Sequence, residues 1–116
     1  SGNLTVLLTG ATGLVGRFLL VGLLRRRRPT IVLVRPQAHR SIEQRIDEAL
    51  AVFETDALLP RPIILAGDLT KPGLGLSHTD RRLLAQHRLC VLHSAASTRF
   101  QAEDPVGEPY ATNVTG

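Results

Sequence analysis

Apolar residues fall along the chain in short runs divided by glycine, proline and charge, and the spacing within the runs alternates between continuous and helical. Leu4 to Thr9 is continuous and β-compatible and ends abruptly at Gly10, which predicts a buried strand feeding a tight turn. Val15, Phe18, Leu19, Gly22 and Leu23 recur at helical spacing, and an arginine run followed by Pro29 supplies the stop. Thr30 to Arg35, rich in β-branched residues and closed by Pro36, predicts a second buried strand. Ser41 with Gln44 makes a capping box ahead of Ile42, Ile46, Ala49, Leu50 and Phe53, one face of a helix that ends near Pro60. A short third strand, Pro62 to Leu65, leads into a polar turn at Gly67 and Asp68 and on through Thr70 to Gly75. Ser77 caps a short helix bearing Leu83 and Leu84, and Leu89 to His93 make a fourth strand.

Strand and helix thus alternate through four strands, with no internal repeat. Right-handed crossovers make this an α/β chain with a Rossmann-type, doubly wound parallel sheet of strand order 3-2-1-4. Past Phe100 the sequence turns polar and loop-like through Pro105, Gly107 and Pro109, and a helix is expected to begin near Gly116. Residues 1–116 then form a single domain, the N-terminal portion of a larger sheet truncated after its fourth strand. The outer edge of that strand would be open, inviting self-association into a homo-oligomer.

Composition narrows the class. With 43% hydrophobic and only 3% aromatic residues among 116, the core must be built from Leu, Val, Ile and Ala, as in parallel sheets flanked by helices. A net charge of +4 suits a nucleic-acid binder or a protein handling phosphate-rich ligands. The densest basic stretch, Arg25 to Arg28, falls at a helix C-terminus, where the dipole favours cations and water solvates them, so it reads as a solvated helix end. Neither interleaved aromatics nor a helix-turn-helix pattern supports nucleic-acid binding. The lone Cys90 sits in the apolar run Leu89 to Leu92 and reads as a small hydrophobe. Leu14 to Leu24, broken by Gly16, Arg17 and Gly22, is too short to span a bilayer, and no transmembrane segment is expected. The charges follow that run instead of preceding it, unlike a signal peptide, and a cytoplasmic setting is the expectation.

Chemistry enters at Thr9-Gly10-Ala11-Thr12-Gly13-Leu14-Val15-Gly16, a glycine turn placed between a predicted strand and a predicted helix. In that context Gly10 allows the turn, Gly13 lets a pyrophosphate approach the backbone, and Gly16 permits close helix packing. Free N–H groups at the helix N-terminus would face the phosphates of a nicotinamide dinucleotide. Gly10, Thr12, Gly13, Leu14, Val15 and Gly16 are therefore candidate cofactor-binding residues. At the end of the second strand, where NAD enzymes place a carboxylate on the ribose, stands Arg35, which favours the 2′-phosphate of NADP (NADPH) over NAD. Arg40 and Arg45 are weaker candidates for a second contact.

The chain resembles the N-terminal part of an extended short-chain dehydrogenase/reductase, on Thr9-Gly10-x-x-Gly13-x-x-Gly16, Gly67-Asp68-Leu69 and Asn113-Val114-x-Gly116. Within that superfamily it is most similar to fatty acyl-CoA reductases and thioester-reductase domains, on Gly73-Leu74-Gly75-Leu76-Ser77 and His93-x-Ala95-Ala96-x-x-Arg99-Phe100. The resemblance implies that Asp68 and Leu69 flank the adenine, and that Ala95 and Ala96 are small where the cofactor passes. It further implies a full-length NADPH-dependent oxidoreductase acting on acyl-CoA or a carrier-protein-bound acyl thioester, with aldehyde or alcohol as product. The family's catalytic Tyr-x-x-x-Lys pair does not occur here: the one tyrosine is Tyr110, followed four residues on by Val114, and the one lysine is Lys71. No catalytic residue and no metal ligand is assigned. His93 reads as a structural strand-end residue. The rival readings are a reductase or epimerase acting on a sugar nucleotide or small carbonyl compound, and a noncatalytic NADP-binding sensor.

Overall fold

The computed structural model describes residues 4–53, 59–94 and 110–115. The elements are β1 (Leu4–Thr9), α1 (Leu14–Arg25), β2 (Thr30–Val34), α2 (Ile42–Ala51), β3 (Ile63–Ala66), a short 3-10 turn (Pro72–Gly75), α3 (His78–Ala85), β4 (Arg88–His93) and β5 (Tyr110–Thr115). Strand order is β3-β2-β1-β4-β5. The first four strands pair in parallel, as the alternation of elements requires.

Successive strand residues point to opposite faces, and each face carries its own core. Leu8, Val32 and Val34 pack with Leu20, Leu24 and Ile46 beneath α1 and α2. Leu7, Ile31 and Leu33 pack with Leu65, Leu84 and Leu89 beneath α3. Both faces are covered because the chain reverses direction after β3. The two crossovers out to β3 lie on one side, and the return over β2 and β1 to β4 must lie on the other to stay right-handed. Hence β2 is buried at all five positions.

Two expectations are corrected. The helix foreseen near Gly116 is instead the antiparallel β5, paired with β4 from Arg88↔Thr115 to His93↔Tyr110. Thr112, Val114 and Thr115 are β-branched and suit a strand better than a helix. The outer edge of β4 is accordingly occupied and offers no open ladder for self-association.

The second correction concerns the phase of α1. Gly16, Leu20, Val21 and Leu24 are buried, while Val15 and Phe18, placed on the core face by their spacing, are 48% and 61% exposed. Gly16 sets the phase: a Cβ there would collide with the carbonyl oxygen of Gly10, so this glycine must face the β1 turn, and Leu20 and Leu24 follow it at four-residue spacing. Phe18 packs edge-to-face on Phe53, ring centroids 4.8 Å apart. The Ser41–Gln44 capping box forms in both directions, Gln44 N–H donating to Ser41 Oγ and Ser41 N–H to Gln44 Oε1. Ser77 caps α3 through Asp80 N–H. Cys90 is half-buried and unbridged.

Candidate cofactor cleft at the strand C-termini

The order β3-β2-β1-β4 reverses between β1 and β4, and such a switch point leaves a crevice beyond the strand C-termini. A cleft of about 260 Å³ opens there. Of the residues singled out in the sequence, Gly10, Thr12, Arg35, Arg45, Asp68 and Leu69 line it. Gly13, Leu14, Val15 and Gly16 form the start of α1 beside it. Ala95 and Ala96 lie outside the described residues.

The glycines divide by what demands them. Gly10 has φ +73°, and a Cβ there would collide with the carbonyl oxygen of Ser94 at the end of β4. Gly16 is fixed by its contact with Gly10. Gly13, the N-cap of α1, has φ −76°, so its own backbone conformation would accept any residue. No side chain caps that helix. Its first amides are left for a ligand or water. The turn is held from behind: Arg17 Nη2 donates to Thr12 O at 2.9 Å and Nε to Gly13 O at 3.3 Å. Arg17 was not legible as a site residue because its charge falls within an apolar helix and signals no partner. The seam beneath is tied by Ser94 N–H donating to Thr9 O at 3.1 Å and by a bond between Thr9 Oγ1 and His93 Nδ1. His93 thus has the structural strand-end place expected of it, and it also lines the cleft, as do Thr70 and the buried Ser94.

On the β2 side the cleft is basic. β2 ends at Val34, and Arg35 stands exposed just past it. Arg45, on the first turns of α2, donates to Arg35 O and, at 3.3 Å, to Thr12 Oγ1, tying the end of β2 to the glycine turn. Partial burial, then Arg40, then Arg35 lower the Arg45 pKa, and the guanidinium still stays charged at any ordinary pH. Arg40 is turned to Glu48 in an exposed ion pair, and it does not line the cleft.

Across the cleft, Asp68 Oδ1 accepts from Thr70 N–H at 2.9 Å and Thr70 Oγ1–H at 2.7 Å. Those two bonds hold its carboxyl below the usual carboxylate range, with Arg35 and Lys71 adding smaller pulls. Asp68 N–H donates to Leu74 O at 2.7 Å. That contact needs the left-handed run Gly73, Leu74 and Gly75, at φ 61°, 60° and 62°, which gives the Gly-Leu-Gly motif its structural role. Among the described residues no cluster of His, Cys, Asp and Glu could hold a metal ion.

A doubly wound parallel sheet with a glycine turn, an uncapped helix start and an arginine-flanked cleft at its switch point defines an NAD(P)-binding domain. The chain belongs to the NAD_binding_4 family, described as male sterility protein, whose pattern it matches over residues 8–116. It is 35% identical over 105 residues to fatty acyl-CoA reductase 1 of Mus musculus, covering 82% of this chain and 20% of that protein. Similar stretches occur in two synthases. Identity is 40% over 103 residues with the hybrid PKS-NRPS synthetase mpsA of Macrophomina phaseolina, covering 86% of this chain and 2% of the synthetase. It is 34% over 122 residues with the isonitrile lipopeptide synthase of Mycobacterium tuberculosis, covering 97% of this chain and 5% of the synthase. The chain spans a fifth or less of the length of these relatives. No solved structure matches it significantly. Among the described residues no helix is long and apolar enough to cross a membrane.

Proposed function

We propose that this chain is the NADPH-binding portion of a cytoplasmic reductase that converts a thioester-activated acyl group, on CoA or a carrier protein, to an aldehyde or alcohol. The observation that carries the cofactor choice is the Arg35–Arg45 pair at the end of β2, where a 2′-phosphate would lie. In this reading the pyrophosphate lies over Gly13 and the first amides of α1, at Leu14 and Val15. Thr12 holds the turn to Arg45, and Asp68 and Leu69 receive the adenine, with Ala95 and Ala96 leaving room for the cofactor. The bound cofactor supplies the hydride. The chain's own residues bind and orient it, and the proton donor lies elsewhere in the reductase. The thioester substrate is supported by the likeness to a fatty acyl-CoA reductase.

The test is Arg35→Asp, with NADP and NAD binding measured at two salt concentrations, because an exposed arginine is screened by salt. Loss of a charge-assisted bond of about 1.5–3 kcal/mol weakens NADP by roughly ten-fold to a hundred-fold, while NAD, lacking the phosphate, is little changed. An unchanged NADP-to-NAD affinity ratio would remove the cofactor assignment. Aldehyde release from a long-chain acyl-CoA by the full-length protein, dependent on NADPH, tests the substrate class separately.

A further inference from the structure

The arginine run that the sequence marks as a solvated helix end does not stay on the helix. α1 closes at Arg25 with Arg26 as its C-cap, and Arg27 and Arg28 form the turn into β2. There they border a second cleft, of about 320 Å³, at the N-terminal ends of the strands. Thr5 and Thr30, both 6% exposed, sit at its floor. Arg61, just before β3, and His87, just before β4, complete its polar wall. Thr5 and Thr9 occupy the two ends of β1, so about 13 Å of strand separates this cleft from the cofactor cleft.

Three features of the cleft point to an anion. Among the described residues the Arg27 and Arg28 side chains have no hydrogen-bond or ion-pair partner, and one acidic residue, Asp47, reaches the wall, paired with Arg61. His87 Nδ1 is bonded to Thr5 Oγ1 at 3.1 Å, and when that hydroxyl donates, the neutral ring carries its proton on Nε2 as a further donor. Finally, Arg27 is held at φ 54° by its own N–H to Leu24 O and that of Arg28 to Leu23 O, a turn in which glycine is the residue at ease. An arginine there carries a conformational cost that solvation of its charge does not require, since the preceding helix turn already offers exposed positions.

We propose that this cleft is a second anion site, taking a phosphate group through the guanidinium forks of Arg27, Arg28 and Arg61, separately from the cofactor. Guanidinium matches phosphate in paired hydrogen bonds, and the two unpaired guanidiniums of Arg27 and Arg28, with the N–H groups of Arg61 that Asp47 leaves open, suit a doubly charged phosphomonoester better than a carboxylate. The phosphate can belong to a soluble ligand or to a lipid headgroup.

The test measures two probes on the full-length protein at fixed ionic strength. One is inorganic phosphate by calorimetry with the cofactor cleft saturated by NADP. The other is sedimentation with phosphatidylcholine vesicles, with and without phosphatidic acid. Arg27→Gly/Arg28→Gln should weaken binding of at least one probe ten-fold or more while melting no lower than the parent, because glycine relieves the left-handed turn. Arg35→Gln/Arg45→Gln should leave that binding intact. Binding of phosphate alone assigns a soluble ligand, of vesicles alone a headgroup, and either supports the site. No binding of either probe overturns the proposal. So does a loss in Arg35→Gln/Arg45→Gln alone, or an equal loss in Arg81→Gln/Arg82→Gln on α3, which would reflect only overall charge. Because the phosphate arm runs beside bound NADP and the vesicle arm needs no cofactor, failure here leaves the cofactor assignment standing.

Discussion

At the C-terminal ends of its strands the sheet meets backbone: the Gly10 turn against Ser94 O, the helix start at Gly13, and Asp68 N–H on Leu74 O. At the N-terminal ends it meets side chains, with Arg27, Arg28, Arg61 and His87 standing around two threonines. Charge is present at both ends but is handled differently. Arg17 and Arg45 are spent on carbonyls and a hydroxyl of the protein itself, whereas Arg27 and Arg28 have no such partner among the described residues. The difference follows from chain direction. Parallel strands all deliver their C-termini to one end, and there β1 turns sharply into α1 across residues 10–13, so that turn selects glycine. The other end receives chain arriving from helices, and its connections carry exposed side chains, Arg27 among them in a left-handed turn.

The largest test of this contrast is at Gly16. Gly16→Val places side-chain atoms on the Gly10 backbone, which cannot yield without moving β1 away from β4. A loss of about 3 kcal/mol or more is expected in urea unfolding. A stable, cofactor-binding variant would show that the tight approach is dispensable. Gly13→Val is next. At φ −76° the fold tolerates valine, yet a side chain beside the open amides should cut dinucleotide affinity on the order of 100-fold, about 2.7 kcal/mol, by calorimetry. Undiminished affinity in the folded variant would remove the phosphate from that position.

A smaller change is expected from Arg45→Gln. NADP binding should weaken roughly ten-fold, and NAD binding less, in the measure that freeing Thr12 loosens the turn. Equal losses for both cofactors would make Arg45 a brace for the turn instead of a phosphate contact. The smallest effect lies at Asp68. Its pKa is lowered in the fold, so its contribution to stability is fully present above the unfolded-state pKa and fades as pH falls through the folded one. Asp68→Asn should therefore lower thermal melting by a small and constant amount from pH 5 to 7, with the difference from the parent shrinking only below about pH 4. A change in slope nearer neutrality would point to another group.

Legibility in the sequence followed the same division. The glycine turn, the buried strands and both serine caps could be read directly, because each rests on neighbours within a few residues. Arg35 could be read from its place at the end of β2, but which of Arg40 and Arg45 stands beside it could not, and it is Arg45 that meets the Arg35 carbonyl. The phase of α1 could not be read. With apolar residues at nearly every position, spacing alone allows more than one buried face, and only the contact of Gly16 with Gly10 selects between them. β5 was hidden for a related reason, since its partner is a strand some twenty residues earlier in the chain and its own residues alternate only weakly. The Arg27 turn was hidden because an arginine in a left-handed position looks, in sequence, like one more turn of helix.

The seam between β1 and β4 joins Thr5 to Leu89 and Thr9 to His93, residues 84 apart, and a threonine–histidine bond fastens it at each end. In terms of chain entropy it is the closure of a long loop. The β1-α1-β2 contacts can form locally, whereas the cleft floor exists only once β4 has docked. A dinucleotide in the cleft therefore selects the fully docked molecule and opposes opening of this seam by RT ln(1 + [L]/Kd). Amide exchange along β4 should slow with cofactor concentration in that proportion. Exchange in β2, which shares no such seam with β4, should respond less.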